Sequence, residues 1–437
     1  MMRPGAIIRS LVLVSAVLVT ADIPARAADG GATTSAAATG ALAETQDLAA
    51  LVGAASPGGV LRLPEGTYRG GVIIDKPLTV IGEGQVVIDG GGKGRVLELR
   101  APDITLRNLT IRNSGGSLEK EDSGVYVTQK APRAVVAGNR FEHTLIGVFL
   151  KGPENAQVID NIIGGRGDLR VNERGNGVQL WNSPGSRIER NVISGSRDGI
   201  FTTTSKQNVF ADNVMQGVRF AVHYMYTNDS ILRNNRSIGN DAGYVIMFSH
   251  SLTVEDNVSR GDVEHGLVFN FANSSVMRRN SVVDGGDKCV FIYNASKNDF
   301  RDNLFQGCGT GIHFTAGSER NTVVSNAFVG NENQVKYVGT KYLEWAENGV
   351  GNYWSDNAAF DLDNDGIADR PYRPNGLVDQ IIWRAPEAKL LLTSPAVQLV
   401  HWAQSAFPAI LPGGVVDPHP LMRPPPATAE RLAEILK

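Results

Sequence analysis

Asparagine returns through the middle of this chain at a nearly constant interval. Asn139, Asn161, Asn191, Asn213, Asn235, Asn257, Asn280, Asn303 and Asn326 are separated by 22, 30, 22, 22, 22, 23, 23 and 23 residues. The long step is one repeat with an eight-residue insertion near GGRGDLRVNERG. A second column, Gly147, Gly177, Gly199, Ala221, Gly243, Gly266, Cys289 and Gly311, keeps the same phase. Two columns in phase over this many repeats mean that one structural unit recurs along the chain.

Each unit holds short β-type runs such as GVFL, GIFTT and GLVFNF, broken by Asn, Gly, Asp and Ser, with no helical periodicity. The leucine-rich frame that shares this period is absent. The pattern therefore predicts an all-β fold, a right-handed parallel β-helix with coils of 22–23 residues. Coils stack about 4.8 Å apart, so identical Asn side chains form hydrogen-bonded ladders and help turn corners in the left-handed conformation. Open coil ends are unpaired sheet edges and need covers. Residues 45–56 (TQDLAALVGAAS) and 395–407 (PAVQLVHWAQSAF) read as capping helices. The stretch PGGVVDPHPLMRPPP reads as too proline-rich for regular structure.

The start of the chain reads as an export signal. Arg3 and Arg9 precede an apolar stretch from Leu11 to Val19, and Ala25-Arg26-Ala27 gives a small-residue cleavage site. The expected organisation is a signal peptide over 1–27, a disordered leader over 28–44, a capped β-helix over 45–350 and a C-terminal extension over 351–437. A formal net charge of −3 gives no electrostatic footprint for nucleic acid. Export exposes the chain to oxidising conditions, yet Cys289 and Cys308 are its only cysteines. They fall at different repeat positions, and two separate buried thiols are expected in preference to a single bridge.

Strand parity sorts the side chains. The first and third residues after the Gly column are almost all apolar and face inward, so the second and fourth face outward. The second column is Phe149, Gln179, Phe201, His223, Val245, Val268, Phe291 and His313. The fourth is Lys151, Trp181, Thr203, Met225, Met247, Asn270, Tyr293 and Thr315. Met225 and Met247 thus share one outward position on adjacent coils, with His223 on the same face. Thioether and imidazole ligands suit Cu(I). His250, three residues after Met247, needs a bend to join them. Methionine on an outer face also serves as adaptable packing against a loop or partner, and the pattern alone leaves both readings open. The aromatics in these columns read either as an exposed contact row for sugar rings or another protein, or as a row covered by long loops.

DLDNDGIADRPY places Asp361, Asp363, Asp365 and Asp369 at calcium-loop positions 1, 3, 5 and 9, with Gly366 at 6. Tyr372 stands where the bidentate Glu would be, so a Ca²⁺ loop and a solvated acidic turn are both open. Glycoside chemistry needs paired carboxylates. Most of the repeat aspartates and glutamates fall in turns beside the Asn column, and none in the outward strand columns. No catalytic residue is assigned.

The coils resemble the carbohydrate-binding and sugar-hydrolase (CASH) class of β-helices. The front segment LRLPEGTYRGGVIIDKPLTVIGEG and the NYWSD and D-x-D-x-D-G portions occur widely in that class. The segment from NYWSD to HPLM, above all the block from Arg370 onward, is similar to the C-terminal region of the NosD family. The resemblance covers nearly all of the mature chain. It implies a periplasmic, non-catalytic factor in maturation of nitrous oxide reductase. Such a factor works with an ABC-type ATPase and its membrane subunit at the inner membrane. It receives Cu(I) from a copper chaperone lipoprotein and delivers it for copper–sulfide centre assembly; an exported sulfur species is also implied. On this reading Cu(I) is cargo for His223, Met225, Met247 and His250, and Trp383, Trp402 and Phe407 dock the membrane subunit. The competing reading is a polysaccharide-binding or -modifying β-helix of epimerase or lyase type.

Overall fold

The computed structural model describes residues 45–437, apart from 316, 340, 377, 380, 382–385, 392–393, 407–412 and 436–437. The expected signal peptide and leader lie outside the described residues, as do Trp383 and Phe407.

Three parallel sheets of 12, 13 and 12 strands run the length of the solenoid. Each coil contributes one short strand to each sheet. The first coil shows the order: Val60–Leu63, Gly66–Arg69 and Val72–Ile74 begin the first, second and third sheets. Strand register follows the repeat residue for residue: Val178 pairs Ile200, which pairs Val222, which pairs Tyr244. The inward positions form one continuous apolar core along the axis.

The Asn column is the spine of one corner. In each step the amide oxygen of the later Asn accepts both the backbone N–H and the side-chain amide of the earlier one. Asn213 donates to Asn235 Oδ1 at 3.1 and 2.9 Å, and Asn235 to Asn257 Oδ1 at 3.0 and 3.0 Å. The ladder runs from Asn139 to Asn352, one coil beyond the last expected member, and every rung is buried. At its far end Asp417 closes it. Its Oδ2 accepts from Asn352 N–H at 2.7 Å and Trp354 Nε1–H at 2.8 Å, while Oδ1 accepts from His419 N–H at 3.0 Å.

Both ends are covered. Helix Leu48–Ala54, capped by Asp47, buries Leu48 and Val52 on the first coil. At the other end Phe328, Trp345 and Trp354 are buried as a stack, Phe328 and Trp354 at 4.3 Å and 7°. Pro395–Ala406 is a helix, as expected. The tail corrects its expectation: Gly414–Val416 is a strand paired in parallel with Tyr342–Glu344, and Pro426–Ile435 is a helix. The prolines flank these elements, where a missing N–H costs nothing.

The cysteines also correct the sequence expectation. Cys289 and Cys308 form a disulfide, with Cα atoms 5.6 Å apart. Cys308 lies just before the strand Thr310–Thr315 that pairs with Lys288–Tyr293. Nearly one full coil therefore returns it to Cys289, although the two occupy different repeat positions. Among the described residues no helix is long and apolar enough to cross a membrane.

Candidate metal centre

The strands Phe220–Asn228 and Ala242–Met247 lie side by side in the third sheet, and Met225 pairs directly with Met247. Both side chains are half-buried and outward, which puts their β-carbons about 5 Å apart. His223, two residues before Met225, occupies the same face and is 9% exposed. The parity argument places these three residues together as expected. His250 lies past the next corner, bridged to Asn273. It is exposed, with Nδ1 3.1 Å from Ser251 Oγ.

The setting of His223 escapes the parity argument. Asp198 is fully buried at the start of the neighbouring strand, one coil earlier. Its two carboxylate oxygens accept from Arg219 Nε and Nη2, both at 2.8 Å. Oδ2 also lies 3.1 Å from His223 Nδ1. Burial alone would raise the Asp198 pKa; hydrogen bonds from His223 and Arg219, with the Arg219 charge, outweigh it and hold the carboxyl below its ordinary value. An ionised carboxylate only accepts, so His223 Nδ1 carries the proton. In the neutral ring the second nitrogen, Nε2, is an acceptor. It is turned away from Asp198, buried, and without a hydrogen-bond partner among the described residues. Phe201 and Phe220 pack on the ring, with centroids at 5.0 and 5.2 Å. Carboxylate to imidazole to open nitrogen is the arrangement that orients a metal-ligating histidine. Asn270 follows Met247 in register, and its buried Oδ1 is also unpartnered among the described residues. Two orphaned polar atoms therefore share the face that carries the two thioethers.

Two readings of the outer face need correction. Phe149 is buried against Tyr126 and Ile146 and is no part of an exposed row. Asp198 is a carboxylate on the outward face, where none was expected. Parity missed it because the strand start lies before the Gly column. Trp181 and Tyr293 are exposed as expected, each at 42%.

The acidic turn is formed locally. Asp361 accepts from Asp365 N–H and Gly366 N–H at 3.2 and 2.9 Å, and Asp369 accepts from Leu362 N–H at 2.9 Å. Ligand oxygens of Asp361, Asp363 and Asp365 lie within 4.8 Å of one another. The neighbouring Asp365 charge pushes the Asp363 pKa up. Trp402 is 62% exposed on the Pro395–Ala406 helix, and Leu399 is 63% exposed.

Fold and face together define the class: a parallel β-helix that presents two thioethers and an imidazole on one face of a long sheet. The family model described as periplasmic copper-binding protein (NosD) matches residues 159–359. A Stutzerimonas stutzeri protein named probable ABC transporter binding protein NosD is 40% identical over 378 residues, 83% of this chain and 87% of that one. The Pseudomonas aeruginosa protein of the same name is 38% identical over 378 residues, 84% of this chain and 88% of that one. The Dettilon tailspike protein shares the fold at 14% identity, with a TM-score of 0.50 over 64% of this chain and 62% of its own. The chain belongs to the NosD family.

Proposed function

We propose that this protein takes up Cu(I) in the periplasm and passes it to nitrous oxide reductase for copper–sulfide centre assembly. His223 Nε2 and the Met225 and Met247 sulfurs are the ligands. His250, exposed around the corner, is the outer ligand met by an arriving or departing ion. The observation that carries the reading is the orphaned His223 nitrogen beside a register-paired methionine couple. Two thioethers and a neutral imidazole bind Cu(I) in preference to hard cations. They add no charge, so the ion stays exchangeable cargo. The family description as a copper-binding protein and the relatives' names as transporter binding proteins support the same reading.

The partners are the ATPase and membrane subunit of an ABC transporter, a copper chaperone lipoprotein that donates, and the reductase that accepts. Export by the N-terminal signal brings the chain to the inner membrane's periplasmic side. The helix Pro395–Ala406 carries no charged residue and exposes Leu399 and Trp402. With Trp383 and Phe407 it is the dock for the membrane subunit. Asp361, Asp363, Asp365 and Asp369 form a separate Ca²⁺ loop that stiffens the extension. The test is reductase made in cells whose copy carries Met225→Ala and Met247→Ala. We expect enzyme with depleted copper and without the copper–sulfide absorption; fully loaded enzyme would refute the delivery role. The polysaccharide reading predicts instead that oligosaccharide binds along the third sheet and that the variant makes normal reductase.

A further inference from the structure

The residue after each fourth-column position in this region turns the corner with a left-handed backbone. At this corner the chain uses Asn182 (φ 47°), Thr204 (φ 54°), Tyr226 (φ 50°), Phe248 (φ 49°), Phe271 (φ 50°) and Asn294 (φ 48°). Asn suits this conformation, and a bulky ring does not. Three consecutive coils nevertheless hold aromatics there, and leave them exposed by 52%, 36% and 42%. The rings stack along the axis: Tyr226 on Phe248 at 5.1 Å and 16°, Phe248 on Phe271 at 5.3 Å and 9°. Tyr293 closes the row edge-on to Phe271 at 5.9 Å. Bulky rings held in this conformation and still a third or more exposed are a mark of function.

The geometry also limits what the row binds. Both faces of Phe248 are covered by its neighbours, so the middle of the row offers a ring edge to the outside. Sugars stack on faces. Edges are the positive part of the aromatic quadrupole and are where methionine sulfur packs on rings. Tyr226 directly follows Met225, Phe248 directly follows Met247, and Phe271 follows Asn270. The row is therefore the solvent-side rim of the thioether pair.

We propose that the edges of Tyr226, Phe248 and Phe271 seat a partner protein that presents methionine side chains, the donor or acceptor of the ion held at Met225 and Met247. This rests on the copper reading above. Handing an ion between two soft sites brings both ligand sets within bonding reach, and an apolar rim that matches sulfur holds them there and keeps water out.

The probe is a fluorescent Met-x-x-Met-x-x-Met peptide, with and without one Cu(I), bound to the mature chain and followed by anisotropy. The variant is Tyr226→Asn, Phe248→Asn, Phe271→Asn, which installs the residue the chain already uses at Asn182 and Asn294. Its melting temperature is expected to stay at or above the wild-type value, because Asn relieves the corner. Its Kd for both peptide forms is expected to rise at least about tenfold, a hot-spot effect, with Cu(I) affinity against a chelator unchanged. An unchanged peptide Kd overturns the proposal. So does a loss that falls on oligosaccharide binding or on self-association instead of the peptide. If Cu(I) affinity ignores the methionines while the copper-free peptide still needs the rings, the copper reading fails and the docking row stands.

Discussion

His223 Nδ1 lies 3.1 Å from Asp198 Oδ2 on the preceding coil, and Arg219 holds the same carboxylate with two hydrogen bonds. This relay fixes the tautomer of His223 and the direction in which its free nitrogen points. Asp198→Asn is expected to weaken Cu(I) binding by about 10- to 100-fold, the usual loss for such an orienting partner. Chelator competition measures it, and nitrogen NMR of the imidazole reports a mixed tautomer in the variant. Wild-type affinity together with a mixed tautomer would show that the relay is structural only.

The far end of the same face is built against protonation. His313 is pushed down to about 4, by burial first and then by the Lys336 and Lys288 charges. Both its ring nitrogens are buried without a hydrogen-bond partner among the described residues. The unfolded chain binds this proton near the ordinary histidine value of about 6.5, so it holds more protons than the fold between there and about 4. The contribution to stability is full above that range and is lost as pH falls through it. His313→Gln is expected to flatten the decline in melting temperature between pH 7 and 4. Parallel profiles would contradict this.

Asp417 closes the asparagine ladder by accepting from three N–H groups. Asp417→Ala leaves those donors buried and unsatisfied, and each costs roughly 1–3 kcal/mol. We expect a loss of about 3 kcal/mol or more in urea unfolding, with the last coils most exposed to hydrogen exchange. A loss below about 1 kcal/mol, the net worth of a single ordinary hydrogen bond, would mean that the end of the ladder does not need this cap.

The acidic turn gives a separate test. Calcium that binds only the folded state raises the melting temperature with concentration. Asp363→Asn with Asp365→Asn should remove that rise and leave Cu(I) affinity untouched. A calcium effect that survives the double variant would place the ion elsewhere.

The coil repeat, the alignment of successive coils and the methionine pair were legible because they depend on one periodicity. Once Asn213, Asn235 and Asn257 share a corner, Met225 and Met247 must share one outward column on adjacent coils. What stayed hidden depends on breaks in that period. Asp198 reaches His223 across coils from ahead of the Gly column. Tyr226, Phe248 and Phe271 sit where a left-handed residue interrupts the alternation, so parity assigned them to no face. Cys289 and Cys308 meet because nearly one coil separates them, which position within the repeat conceals. Gly414–Val416 forms a strand only because Tyr342–Glu344 offers it an edge, and no local pattern in a proline-rich tail reports that.

The central claim is that Cu(I) rests on two thioethers from adjacent rungs beside His223. Anaerobic titration against a competing Cu(I) chelator tests it directly, with wild type and the Met225→Ala, Met247→Ala double variant compared. The account predicts one Cu(I) per wild-type chain and an affinity at least about tenfold lower, more than 1.4 kcal/mol, in the variant. Equal affinity in the two proteins would contradict it.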